Sequence, residues 1–177
     1  MWGVALAALV EENPEKLTER LDDLLTGRMS DEGRNDIIFT LLRLGYRPAA
    51  TRCFNYVKDG LRRTGQPSVL SLLAASCRVD PEECLTLSSN YFGRVLRSEE
   101  AADENRGSIS AFVSHFMAVD ERLLGKLVER TKTVNIDAGK RLATLLDEYL
   151  TKPWNVREFG EAKVGALREQ IHAAGAT

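Results

Sequence analysis

Apolar positions recur at helical spacing along nearly the whole chain, and the alternation typical of strands is absent. Two kinds of helical segment alternate. The first kind is short and apolar on almost every side, so it must be covered on most sides; it comprises residues 2–10, 37–44, 69–77 and 109–119. The second kind is longer and has one apolar face; it comprises residues 15–25, 48–64, 81–96 and 121–131. The pattern predicts an all-α fold of about nine to ten helices.

Proline stands at or near the first position of three predicted helices, where its fixed φ and missing donor cost nothing; the junctions are Asn13-Pro14, Arg47-Pro48 and Asp80-Pro81. The junctions at Asn13 and Arg47 are 34 residues apart, and those at Arg47 and Asp80 are 33 apart. The next interval, to Asp120, is 40 residues and contains the polar stretch 98–107, which we interpret as an inserted loop. A two-helix period of this length is typical of a stacked helix–turn–helix array, an α-solenoid. An irregular helical bundle with accidental spacing is the alternative.

The pattern changes after residue 134. Residues 136–150 predict one amphipathic helix, which Pro153 ends, and we expect Trp154 to pack at that corner. Residues 155–174 predict a sparsely apolar terminal helix that caps the array. With 177 residues, the chain is long enough to bury a core without a metal ion or a disulfide. We therefore predict one all-helical domain; its parts are repeat-like helix pairs over 1–134 and capping helices over 135–177.

Residues 45–65 carry the most specific motif in the chain. Its marks are Gly45, Pro48, Phe54, Asn55, Asp59, Gly60 and Leu61. The segment resembles one repeat of the pentatricopeptide family, with one extra residue between Pro48 and Phe54. The small–aromatic pair Ala50 and Phe54 is also similar to the tetratricopeptide pattern, and HEAT-like arrays share the paired-helix plan. The pentatricopeptide resemblance implies that Asn55 reads a base in single-stranded RNA. Taken alone, Asn55 equally fits a local hydrogen bond on an exposed helix face.

Charge is balanced overall but uneven along the chain. There are 24 Lys and Arg against 26 Asp and Glu, which argues against a general nucleic-acid binder. Residues 43–63 carry a surplus of five positive charges, and residues 80–104 a surplus of five negative charges. In a stacked array, the basic segment would form a charged stripe next to the acidic one. Such a stripe suits a protein partner of complementary charge. Ion pairs between neighbouring helices are the alternative. The candidate partner contacts are Arg52, Asn55, Lys58, Arg62 and Arg63.

The chemistry of known enzyme motifs is missing from the sequence. There is no Gly-rich phosphate loop, no G-x-S-x-G and no H-E-x-x-H. Glu169 and His172 match one half of a di-iron bundle pattern, but the second half is absent. The three cysteines fit no zinc spacing, so we interpret them as small buried hydrophobes in a reducing compartment. No catalytic residue, cofactor or metal ion is therefore predicted.

Together these features predict a cytoplasmic, non-catalytic helical-repeat protein that binds a protein partner through a charged stacked surface. Single-stranded RNA binding through the pentatricopeptide-like helix is the first alternative. An enzyme or enzyme subunit with an unrecognised helical pocket is the second. No membrane partner is expected, because no apolar run approaches the length of a membrane span. An exposed apolar end on residues 2–10 would point to a homo-oligomer or to a missing repeat.

Overall fold

The computed structural model describes residues 2–26, 30–63 and 67–176. These residues form eleven α-helices and no strand, so the all-α prediction is confirmed and the expected count of nine to ten is too low. The helices are α1 (Trp2–Glu12), α2 (Pro14–Thr26), α3 (Asp31–Leu44), α4 (Arg47–Arg63), α5 (Pro67–Ser76), α6 (Pro81–Val95), α7 (Glu99–Asp120), α8 (Leu123–Val134), α9 (Ile136–Leu150), α10 (Pro153–Phe159) and α11 (Glu161–Ala176). The added helix arises because Gly160, at φ 85°, separates α10 from α11.

The predicted alternation of helix types matches the helices of the structure. The four nearly all-apolar segments fall largely in α1, α3, α5 and α7, and the four amphipathic ones largely in α2, α4, α6 and α8. Two helices begin earlier than their apolar segments because serine side chains cap them. Ser30 accepts from the Gly33 amide at 3.2 Å and starts α3. Ser98 accepts from the Ala101 amide at 3.2 Å and starts α7.

The interpretation of residues 98–107 as an inserted loop is therefore wrong. These residues form the cap and the first turns of α7. Glu99 and Glu100 stand at the positive end of the helix dipole, which favours carboxylates. Arg106 donates to Asp103 at 2.9 Å and also contacts Glu148 on α9. Residues 99–107 are therefore helical although they are polar, because the Ser98 cap and the ion pairs of Arg106 satisfy polar groups of this segment.

The chain divides into two compact units, and the first comprises Met1–Pro81. In this unit α3 packs against α1, α4 and α5, α1 contacts α2, and α4 contacts α2 and α5. Its core is made of side chains less than 2% exposed, among them Leu21, Ile37, Ile38, Leu41, Leu42, Leu70 and Leu73. Helices two apart along the chain therefore contact each other, α1 with α3, α3 with α5 and α2 with α4.

The second unit comprises Glu82–Thr177. Helices α8, α9 and α11 pack against one another, α7 packs against α9, and α10 contacts α9 and α11. The Phe92 ring of α6 lies edge-on to Phe112 of α7, with centroids 5.1 Å apart, and Phe112 stacks on Phe116 at the same distance. Contacts two helices apart recur here, since α7 touches α9 and α9 touches α11.

One residue both ends α8 and begins α9. The Asn135 amide donates to the Thr131 carbonyl at 2.8 Å, and the Asn135 side chain accepts from the Ala138 amide at 3.0 Å. The backbone at Asn135 is extended, with φ −156°. The corner between the two helices therefore has no linker. The predicted helix over 136–150 is confirmed residue for residue.

The expectation that Trp154 packs at the next corner is wrong. Its side chain is 61% exposed, and the Lys152 ammonium lies 5.3 Å from the ring centroid. Asn155 is buried in its place, at 2% exposure. The side-chain amide of Asn155 donates to the Tyr149 carbonyl at 2.6 Å and so satisfies a carbonyl at the end of α9.

All three cysteines are buried, as expected, but the expectation that all are reduced is wrong. Cys77 and Cys84 are disulfide-bonded, whereas Cys53 is a free thiol. Burial raises the pKa of the Cys53 thiol to about 12, and a backbone hydrogen bond lowers it only in part. Disulfides are typical of oxidising compartments. This observation counts against the cytoplasmic location, which stays a prediction.

Within the described ranges, every helix is too short or too polar to cross a bilayer.

Candidate partner surface and ligand cleft

Helix α4 holds all five sequence-predicted contact residues and is amphipathic as expected. Its inner face buries Ala49, Ala50, Cys53, Phe54 and Val57. Its outer ridge follows the i, i+4 spacing of a helix and exposes Arg47, Thr51, Asn55 and Asp59. Asn55 therefore stands on a solvent-facing ridge, where a partner can reach it.

Arg52 lies beside this ridge and is engaged within the first unit. Its guanidinium donates to the Thr18 carbonyl and lies 3.4 Å from the Asp22 carboxylate, both on α2. These contacts join two helices that are neighbours in the packing. Part of the basic surplus predicted for a partner is thus used between α2 and α4, which is the alternative that the sequence left open.

For the remaining predicted contacts, the structure describes the side chain of Lys58 only. Lys58 is half-buried on α4. Arg62 and Arg63 are in the last turn of α4, but their side chains lie outside the described residues. The structure therefore brings Arg52, Asn55 and Lys58 onto one helix, and their role as partner contacts stays a prediction.

A second group of basic side chains lies where α3 ends and α4 begins. Gly45 closes α3 in the left-handed conformation, at φ 65°, and donates to the Leu42 carbonyl. Arg43 precedes this turn, Arg47 follows it, and both are exposed. The guanidinium of exposed Arg78, just beyond α5, donates to the Arg43 carbonyl at 3.1 Å. We call Arg43, Arg47 and Arg78 the arginine edge.

The arginine edge carries an apolar side chain as well. Leu44 is 42% exposed between Arg43 and the turn. The Arg43 guanidinium lies 5.8 Å from the Phe39 ring centroid, which limits its freedom. Arg43 and Arg47 belong to the basic segment 43–63, whereas Arg78 lies outside it, 35 residues away from Arg43. The only sequence signal for this neighbour was the near-33-residue spacing of the turns.

The second unit contains an open cleft of about 450 Å³ between α9 and α11, and its lining residues are Lys140, Ala143, Thr144, Asp147, His172 and Gly175. The four α9 residues recur at i, i+3, i+4 and i+7, which places them on one helix face. The two helices approach closely because Gly175 has no side chain. A Cβ at Gly175 would lie 3.3 Å from the Ala143 Cβ.

Asp147 is the centre of a polar network in this cleft. Its Oδ1 accepts from Arg168 Nε at 2.6 Å and lies 2.9 Å from His172 Nε2. Burial raises the pKa of the Asp147 carboxyl, but the Arg168 hydrogen bond and charge, together with His172, outweigh it and hold the pKa below its ordinary value. The ionised carboxylate can only accept, so the His172 Nε2 carries the proton in this contact. In the sequence, His172 belongs only to one half of a di-iron pattern, together with Glu169.

Among the described residues, no three His, Cys, Asp or Glu side chains are grouped so that they could hold a metal ion. The comparison of the chain with protein-family models, curated proteins and solved structures found no match. The geometry of the arginine edge and of the cleft is therefore the evidence for function.

Proposed function

We propose that this protein is a non-catalytic helical-repeat protein that binds a protein partner. The packing of helices two apart supports this proposal, because it is the contact pattern of stacked helix pairs. In the first unit α3 touches both α1 and α5, and α2 touches α4. Stacks of this kind offer extended surfaces made of successive turns and outer helix ridges.

The arginine edge is the observation that carries the proposal. It presents Arg43, Arg47 and Arg78 from three successive segments of the stack. Guanidinium groups bind carboxylates through two parallel hydrogen bonds, which favours an acidic partner segment. Exposed Leu44 adds an apolar anchor next to the charges. Arginine beside an apolar residue is a typical composition at the centre of a protein interface.

The test compares capture of a protein partner by three versions of the chain. The wild type, R43E/R47E and the control R157E are tagged and purified from their native cells after nuclease treatment. Arg157 is exposed on α10. It belongs to the second unit, whereas the arginine edge belongs to the first. We expect one protein to be captured by the wild type and by R157E. The affinity of the purified partner for R43E/R47E should be at least tenfold lower than its affinity for the wild type. Equal binding to all three would contradict the proposal.

Single-stranded RNA is the second candidate, and the exposure of Asn55 favours it. Asn55 matches the base-reading position of the pentatricopeptide-like segment and faces solvent. RNA binding would show a steep dependence of affinity on salt, because phosphate contacts release counterions. The substitution N55A would then change sequence preference while leaving the salt slope unaltered. Retention of RNA without any protein, in a purification made without nuclease, would replace the first candidate by the second.

A further inference from the structure

The cleft between α9 and α11 has the size and the polar groups of a small-molecule site. Its volume of about 450 Å³ lies within the range of ligand pockets. One wall is the α9 face with Lys140, Thr144 and Asp147, and the other is α11 with His172. Ala143 and Gly175 also line the cleft, at the point where the two helices approach closely.

The acidic group of the cleft is already occupied. The Asp147 carboxylate binds both Arg168 and His172, so it offers little to a cation. Its contact with His172 Nε2 holds the imidazole in one orientation and leaves Nδ1 as the ring nitrogen for another partner. The carboxylate therefore positions the histidine and does not itself recognise a ligand.

Among the described residues, Lys140 lines the cleft and two further basic groups, Arg168 and Lys132, lie beside it, against the one carboxylate of Asp147. Within the described part of the chain, the Lys140 ammonium makes no hydrogen bond or ion pair. The Lys132 ammonium binds the Ala174 and Gly175 carbonyls at 2.9 and 3.2 Å and brings a further positive charge to the end of α11. Thr144 donates to the Lys140 carbonyl at 3.2 Å, so its oxygen is left to accept from a hydroxyl.

We propose that this cleft binds a small organic anion, with Lys140 pairing with its phosphate or carboxylate group and His172 Nδ1 and Thr144 contacting its polar atoms. A phosphate and a carboxylate share this chemistry, since both are oxyanions that an ammonium group binds. The site lies in the second unit and does not depend on the arginine edge, so either proposal stands or falls without the other.

The test is a heteronuclear NMR titration of the full chain with inorganic phosphate in one arm and citrate in the other, at constant ionic strength. We expect saturable shifts at Thr144, His172 and Gly175 with at least one probe. The substitution K140A should weaken that binding about tenfold, as expected for the loss of one charged hydrogen bond. K126A is the matched control, because Lys126 is an exposed lysine on α8 that is not among the lining residues.

The two arms identify the anion and the variants test the site. Stronger binding of phosphate would indicate a phosphate ester, and stronger binding of citrate a carboxylic acid. The fold of K140A is checked by its amide spectrum, and K140M is used in its place if that spectrum collapses. The proposal is overturned if neither probe gives saturable shifts in the cleft, or if the lysine variant binds as tightly as the wild type and K126A.

Discussion

Gly93 of α6 lies directly against Val134 at the end of α8, so close that a Cβ on Gly93 would stand 2.5 Å from the valine Cγ1. We expect G93A to destabilise the protein by about 1–3 kcal/mol, because the added methyl overpacks a contact that a stiff β-branched side chain cannot relax. The double variant G93A/V134A should recover only part of the loss, because the Cβ of residue 134, which would stand 2.9 Å from the added methyl, remains in alanine. The free energies of unfolding in urea would measure both effects.

Gly107 supplies the control for this prediction. It lies inside α7, and a Cβ at that position would meet nothing within 4 Å. G107A is therefore expected to stabilise the helix by about 0.5–1 kcal/mol, through lower conformational freedom of the unfolded chain. If both alanine variants stabilised the protein equally, the close approach of α6 and α8 would be wrong.

Arg52 is expected to contribute to stability more than the exposed Arg47. R52A loses the contacts to Thr18 and Asp22 and should cost up to about 1 kcal/mol, since the ion pair is partly exposed to solvent. R47A should change the free energy of unfolding by less than about 0.5 kcal/mol. Urea unfolding of the two variants measures the difference. An R52A variant of wild-type stability that has lost its partner would instead support the role predicted for Arg52 from the sequence.

Acid should remove the stabilisation that Asp147 provides. Its pKa is lower in the folded chain than the ordinary value of about 3.9, so its contribution is complete above that value and disappears as pH falls through the folded pKa. D147N should cost about 1 kcal/mol at pH 7 and flatten the loss of stability below pH 4. The measurement is urea unfolding as a function of pH.

E169Q is the matched control for the acid prediction, because Glu169 is exposed on the same helix as Arg168. Its acid profile should follow that of the wild type. An unchanged acid limb in D147N would show that the Arg168 and His172 contacts do not persist in solution.

The three cysteines should differ in their reaction with iodoacetamide. Native protein at pH 8 should remain unlabelled, because Cys53 is buried with its pKa raised to about 12 and the other two are disulfide-bonded. Unfolding without a reductant should expose one thiol, and unfolding with a reductant should expose all three. Intact mass spectrometry counts the labels. Three labels without reductant would show that Cys77 and Cys84 are thiols.

Helix positions followed from the sequence because apolar periodicity and proline placement are local signals. The alternation of all-apolar and amphipathic helices and the bounds of α9 are examples. The start of α7 was missed, since its polar first turns depend on the Ser98 cap and on a contact between Arg106 and Glu148 of another helix. A contact 42 residues apart leaves no mark in local composition.

The candidate sites were harder to predict for the same reason. The α4 residues were found because they are adjacent in sequence, but the use of Arg52 against α2 depends on packing 34 residues away. The cleft joins α9 and α11 through Asp147 and His172, which are 25 residues apart and match no motif. Only the folded chain brings these side chains together.

The shared cap at Asn135 makes the α8–α9 corner intolerant of changes in length. One residue inserted after Asn135 would turn the register of α9 by about 100° relative to α8, because a helix has 3.6 residues per turn. Leu142 and Leu146, both at 0% exposure, would then swing away from α8 and α11. Related chains that differ in length are therefore expected to carry their insertions at other turns.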